Sequence, residues 1–299
     1  MTLFKLSQYS AFVICISFLA LTECQPGQKD LSRFSDKIDS LLTIEELNDR
    51  TILIKFGYDA VNAIKTAKGI VVIDAGISTY LTRKYRKIIE DEFGQKNFIF
   101  MINTHGHHDH TRGNGVFGEA KIIGHDNCLN EIRAQWKDPE KVKENLERIV
   151  EENDSLLKRS VTGTAEWTYN FTQKIRYLSA HYDVKNSVQS KLPDTTFSDS
   201  LKIDSGDTTF ELFYFGNCHS TSDIFIYVPE LKMIFTGDLF SKYGRVNRDG
   251  KLIPDTSRWR QSAHWIESRM DNIEIVVDGH GEILTKDDLA QFTINILNK

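Results

Sequence analysis

The chain is 299 residues long, 40% apolar and 26% charged, with a formal net charge of -5 and no long basic run. That composition is typical of a globular protein able to bury a large core, as one large domain or two small ones. It argues against nucleic acid as a partner and makes a small-molecule substrate the default.

Residues 1–24 stand apart from the rest. Lys5 lies in a short polar start, Ala11 to Leu21 form an eleven-residue apolar run, and polar sequence containing Pro and Gly follows. A run that short makes a poor bilayer span and reads as a secretory signal peptide, which makes the mature protein periplasmic or secreted. An uncleaved anchor is the alternative. The "LTEC" ending at Cys24 has the outline of a lipoprotein signal with an atypical Glu23 before the cysteine. Lipid attachment at Cys24 and simple cleavage after it therefore both stand open. Cys128 and Cys218 in the body are expected as free thiols, because a chain of this length needs no disulfide staple.

The remaining residues, 25–299, are expected to form one domain. Short strands begin at residue 51 with "TILIKFG", "VNAIKTA" and "GIVVIDAG", separated by turn residues. A helix is predicted over Thr79–Phe93, with Leu81, Tyr85, Ile88 and Ile89 on one face. The buried-type strand "NFIFMIN" (Asn97–Asn103) then runs into a polar loop, "THGHHDH". After a strand in "AKIIGH", residues from about 126 to 191 turn charged with heptad-like apolar spacing, which reads as an all-helical insertion with solvated faces. Strands resume in "TTFSDSLKID", "TTFELFYFG", "DIFIYVP" and "KMIFTGD". A helix near Ser257–Met270, the strand "IEIVVDGH" and a helix over Lys286–Leu297 close the chain. Strands plus helix, repeated on either side of the insertion, suggest two sheets packed face to face with helices outside.

Four segments at predicted strand ends place polar groups in loops: Thr104–His110, "GNCHS" (216–220), "FTGDLF" (235–240) and "DGHGE" (278–282). Imidazole and carboxylate are the ligand types that borderline divalent metals prefer. Seven such side chains suit two metals sharing one ligand. In an extended stretch alternate residues point the same way, so His105 and His107 can converge on one ion while Asp109 and His110 lie beyond, toward a second. His108 then points away.

The order His-x-His-x-Asp-His, a distant His, an Asp and a Gly-His-Gly closely resembles the metallo-β-lactamase superfamily, in the variant shared by glyoxalase II, lactonases and one β-lactamase subclass. The resemblance covers most of the mature chain. It implies an α/β four-layer αββα sandwich, with His105, His107 and His219 on the first metal, Asp109, His110 and His280 on the second, and Asp238 bridging them. It also implies that Asp74 of "VIDAG" orients the histidine loop. Zinc is the default for so imidazole-rich a set, and the carboxylates also admit iron or manganese.

Two divalent ions lower the pKa of a shared water until hydroxide is available near neutral pH, and Asp109 would orient it. The expected activity is thus hydrolysis of an ester, lactone, amide (including β-lactam) or thioester. A phosphodiesterase or sulfatase on the same metals is an alternative, as is a metal-binding protein without turnover; the intact Asp109 speaks against the latter. The chain departs from the commonest zinc β-lactamase subclass, which carries a cysteine where Asp238 stands. It departs from glyoxalase II in having fewer than twenty residues after His280, too few for that family's glutathione-binding helices. His125, His181 and His264 are expected as packing or surface residues, with His125 worth watching. Arg112, Asn114, Asn217, Lys242, Tyr243 and Arg245 lie in or near the metal loops, where they could hold a carbonyl or carboxylate.

Overall fold

Tight turns join the first four strands into an antiparallel meander: β1 (Thr43–Asn48), β2 (Thr51–Phe56), β3 (Asp59–Thr66) and β4 (Gly69–Ile73). The computed structural model describes residues 31–216, 218–240 and 256–297. The segment 1–24 with Cys24, and Asn217, Lys242, Tyr243 and Arg245, lie outside the described residues. Among those described, no helix is long and apolar enough to cross a membrane.

After the short α1 (Ser35–Asp39) and the meander, the chain changes to parallel crossovers. Strand β4 leads into α2 (Thr79–Phe93), then β5 (Phe98–Ile102), the four-residue α3 (His108–Thr111) and β6 (Lys121–His125). A helical stretch follows, comprising α4 (Asp126–Ala134), α5 (Pro139–Arg159) and α6 (Ala165–Lys185). Then β7 (Thr195–Phe197) completes a seven-stranded sheet in sequence order, in which β4, β5, β6 and β7 run parallel to one another. The second sheet has six strands in the order β13-β12-β11-β10-β9-β8. It comprises β8 (Ser200–Asp204), β9 (Thr209–Tyr214), β10 (Ile224–Val228), β11 (Met233–Gly237), β12 (Ile275–Asp278) and β13 (Ile283–Leu284), with α7 (Thr256–Glu267) crossing between β11 and β12 and α8 (Lys286–Leu297) after β13.

Three apolar seams order the layers. Leu53, Val71, Ile73, Ile102, Phe210, Ile226, Phe235 and Val277 lie between the two sheets. Ile54, Ile70, Val72, Leu81, Tyr85, Phe171 and Ile175 join the outer face of the first sheet to α2 and α6. Phe225, Tyr227, Trp259, Ala263, Ile266 and Leu289 join the second sheet to α7 and α8. The result is an α/β sandwich of helices, sheet, sheet and helices. Because β4 and β10 are covered on both faces, their sequences "GIVVI" and "IFIYV" are continuously apolar rather than alternating. Each such side chain contributes about 1.5–3 kcal/mol over an exposed one.

Helix α2 shows how local chemistry sets the boundaries. The Ser78 hydroxyl accepts from the Leu81 amide at 3.2 Å, and Gly94 ends the helix with φ 63°. Asp183 of α6 adds a second cap, accepting from both the amide and the hydroxyl of Thr79 at 2.7 Å. The sequence reading began its strands at residue 51 and missed β1. "TIEELN" is an edge strand with its adjacent glutamates exposed, and such charged edges carry little strand signature.

Candidate metal centre

Strands β5, β9, β11 and β12 end on one rim, and the loops leaving them carry the seven residues singled out in the sequence. The structure brings all seven together. Ligand atoms of His105, His107, His219 and Asp238 lie within 4.8 Å of one another, and those of Asp109, His110 and His280 form a second such group. Asp238 stands between the groups. One of its oxygens is 3.3 Å from His280 Nε2, 3.7 Å from His219 Nε2 and 3.9 Å from His105 Nε2, and the other is 3.6 Å from His110 Nε2.

Partners behind the ligands fix which nitrogen faces inward. The Asp74 carboxylate accepts from the Thr104 amide at 2.8 Å and the Thr104 hydroxyl at 2.7 Å, and pairs with His110 Nδ1 at 2.9 Å. His280 Nδ1 donates to the Tyr58 carbonyl at 2.8 Å. Each bond occupies Nδ1 and leaves Nε2 toward the cluster, the arrangement that sets the tautomer and angle of a ligating imidazole. Asp74 itself adopts φ 59°, a left-handed conformation that a non-glycine residue keeps only where its bonds over-determine it. Gly279 is required by close approach, since a Cβ there would overlap Asp238 Oδ1 and stand 3.0 Å from His110 Cε1.

Electrostatics and unmet polar atoms both fit cations. His105 Nε2, His110 Nε2 and Asp238 Oδ1 are buried without a hydrogen-bond partner, a costly condition that metal coordination relieves. Burial and the charges of His110 and His107 push the His105 imidazole well below its ordinary range. Burial opposes charge on Asp238, yet His280 and His110 hold its carboxyl well below the usual carboxylate range. Burial also disfavours a charged His280, but Asp238 wins and pushes it up to about 8. An all-nitrogen-and-oxygen set with carboxylates held ionised is a fit for divalent ions.

A cavity of about 540 Å³ opens over the cluster, lined by His107, Asp109, His219, Asp238 and His280 below, and by Tyr58 and α6 above. Arg176 on α6 is 3% exposed, with Nη2 3.6 Å from Asp109 and 3.9 Å from Asp59. Glu131 on α4 joins the loops, accepting from the Gly106 amide at 3.0 Å, from the Thr221 amide at 2.6 Å and from the Ser222 hydroxyl. The sequence reading identified neither Arg176 nor Glu131. The polar spacing of Tyr169, Gln173, Arg176 and Tyr177 along one helix face was the available signal for the first.

The other histidines fall outside both groups. His108 turns with Arg112 toward a different cavity. His125 caps α4 through the Asn127 amide and stacks on Tyr214 at 3.5 Å. His181 pairs with Glu147, and His264 with Glu267. Cys128 and Cys218 are buried thiols with no disulfide between them. Arg112 and Asn114, expected from their positions as substrate contacts, do not line the cavity over the ligand groups. Arg112 is 2% exposed and packs over Trp136, while Asn114 exchanges hydrogen bonds with Asn103 and donates to the Lys191 carbonyl. Both brace the loop from behind.

A profile described as the Metallo-beta-lactamase superfamily matches residues 60–280. The chain belongs to that superfamily. As a member it is a metallohydrolase, and the two-sheet sandwich is the superfamily's fold. Among relatives, this superfamily member is 23% identical over 299 residues to "Metallo-beta-lactamase type 2" of Bacillus sp. (strain 170), covering 95% of this chain and 96% of that one. It is 22% identical over 220 residues to the protein of that name in Bacillus cereus, with 74% and 66% covered. In fold it is similar to a metallo-beta-lactamase from Pontibacter korlensis, with TM-score 0.54, 17% identity, and 86% of this chain and 99% of that one covered. It is also similar to a stereoselective inverting sec-alkylsulfatase from Pseudomonas sp., with TM-score 0.63, 13% identity, and 86% and 41% covered.

Proposed function

We propose that this metallohydrolase is an exported dinuclear enzyme that cleaves an ester, lactone, amide or thioester. The observation that carries the reading is the convergence of seven ligand side chains from four loops on two adjoining sets, with Asp238 between them. His105, His107 and His219 would hold one ion, Asp109, His110 and His280 the other, and Asp238 both. When bound, the pair supplies Lewis acidity, lowering the pKa of water and polarising a carbonyl oxygen; zinc is the default for this donor set.

The chain's own groups do the rest. Asp109 is held well below the usual carboxylate range: burial opposes this, and the charges of His108, His110, His280 and Arg176 overcome it. It therefore stays an acceptor that can orient a water by its proton. Asp74 and the Tyr58 carbonyl keep the imidazoles of His110 and His280 aimed inward, and α6 lines the cavity on the side away from the ligand groups. Export is supported by the signal-like pattern of residues 1–24.

A sulfatase or phosphodiesterase reading draws only on fold likeness. Among the described residues, the cavity's one arginine or lysine is Arg176, already placed between two carboxylates. The test is a panel of esters, lactones, thioesters, β-lactams, sulfate esters and phosphodiesters, run on wild type and Asp109→Asn with elemental analysis of both. Acyl substrates turned over by wild type, and lost in the variant with metal retained, support the reading. Turnover confined to the sulfate or phosphate compounds overturns it.

A further inference from the structure

The upper wall of the cavity takes no part in holding metal. Helix α6 presents Tyr169, Gln173, Arg176 and Tyr177 to it, and Tyr58 faces them from the turn between β2 and β3. The positions share one helical face. Tyr169 is 49% exposed, so its ring is open to a ligand at the cavity. Its ring meets that of Tyr58 edge-on at 6.2 Å and 80°, and the Tyr58 ring lies 5.2 Å from the imidazole of His280. Aromatic surface thus runs from the mouth of the cavity to the second ligand group.

Arg176 and Gln173 on this wall are tied to neighbours, although Arg176 Nε is buried without a hydrogen-bond partner. Arg176 lies between Asp109 and Asp59, and its Nη1 donates to Gln173 Oε1 at 2.7 Å. Its guanidinium carbon is 6.0 Å from the Tyr58 ring and 5.8 Å from the Tyr177 ring. Gln173 Nε2 donates to the Tyr169 hydroxyl at 3.2 Å. The two carboxylates offset part of the Arg176 charge toward a substrate anion. Ring faces and edges are what the wall offers a ligand, and rings prefer edge-to-face partners beyond simple area burial.

Resting on the hydrolase reading, we propose that this face of α6, together with Tyr58, selects the substrate, and that it takes an acyl arm bearing an aromatic ring. The ring would sit between Tyr169 and Tyr177, with the acyl carbon toward the ligand groups. A saturated ring of the same bulk fills the same space without the quadrupole, so comparing the two isolates the aromatic contribution.

The N-acetylcysteamine thioesters of phenylacetate and cyclohexylacetate share a non-aromatic leaving group and differ only in that ring. On metal-loaded protein the phenylacetyl compound is preferred in kcat/KM by roughly twofold to tenfold. Calorimetric affinities of phenylacetate and cyclohexylacetate, measured on loaded and metal-free protein, follow the same order. Tyr169→Leu, at a half-exposed site that tolerates it, brings both ratios near one, and Tyr169→Phe restores them. A wild-type ratio near one in either measurement, or ratios that survive Tyr169→Leu combined with Tyr177→Leu, overturn the proposal. Absent turnover of either thioester with the binding preference intact instead removes thioesters from the proposed substrates and leaves the wall's selectivity standing.

Discussion

Nη2 of Arg176 on α6 stands 3.6 Å from Oδ2 of Asp109 on α3, joining the helical stretch to the ligand loop. Burial opposes charge on Asp109, and Arg176 follows His108, His110 and His280 among the groups that restore it, so its main role is placement of the carboxylate. Arg176→Met is expected to lower kcat on the order of tenfold, about 1.4 kcal/mol in the barrier, with metal content unchanged. Arg176→Lys recovers part of the loss. Steady-state kinetics with elemental analysis checks this; a change confined to KM would assign Arg176 to substrate binding instead.

Asp74 gives three hydrogen-bonding contacts, to both donors of Thr104 and to His110 Nδ1. Asn at this position keeps one acceptor and turns an amide toward groups that donate. Asp74→Asn should weaken metal binding by roughly 10- to 100-fold, the usual cost of losing a partner that orients a ligating histidine. Chelator competition reads this directly, and an unchanged affinity would remove Asp74 from the site's design.

Gly279 tolerates no side chain, because a Cβ meets Asp238 and His110 together. Gly279→Ala should displace both ligands and reduce binding of the ions by at least roughly tenfold, while the far-ultraviolet circular dichroism stays native. Full occupancy in the variant would show that the rim yields more easily than the geometry allows.

Stability of the metal-free protein should fall with rising pH in a defined window. Above the ordinary imidazole value of 6.5 the unfolded histidines are neutral, and His105 and His107, both lowered chiefly by burial, are neutral when folded too, so they add no slope. His280, pushed up to about 8, and His110 and His219, also raised against the effect of burial, still hold protons when folded. The His280 contribution is present below 6.5 and lost as pH climbs through about 8, a change of about 2 kcal/mol, and His110 and His219 act in the same direction. Denaturant midpoints in chelator at pH 6.5 and 8.5 test the sign. Bound ions displace those protons, so metal affinity should rise, not fall, with pH over the same range.

The ligands were legible in the sequence because their chemistry is their identity. Few histidines and aspartates recur at strand ends at such spacings by accident, whereas Asp74 was expected only through the resemblance to the superfamily. The sandwich was legible because strands covered on both faces leave continuous apolar runs, as in β4 and β10. Glu131 was not legible, since one glutamate in a charged helical stretch looks solvated until the fold sets it against Gly106, Thr221 and Ser222. Arg112 misled in the opposite direction. Its position beside the ligand loop suggested substrate, but a side chain two residues past His110 on a helical turn points to the far side, over the Trp136 ring.

The ligands divide between the halves of the molecule: His105, His107, Asp109 and His110 leave the first sheet, while His219, Asp238 and His280 leave the second. Bound ions would act as a rivet through the open end of the sandwich, where any sliding of one sheet over the other is felt first. Without them the two sheets meet there as a cluster of imidazoles and carboxylates, and the apolar seam behind must resist shear alone. Metal loading should therefore set not only whether the site reacts but whether the two halves unfold together.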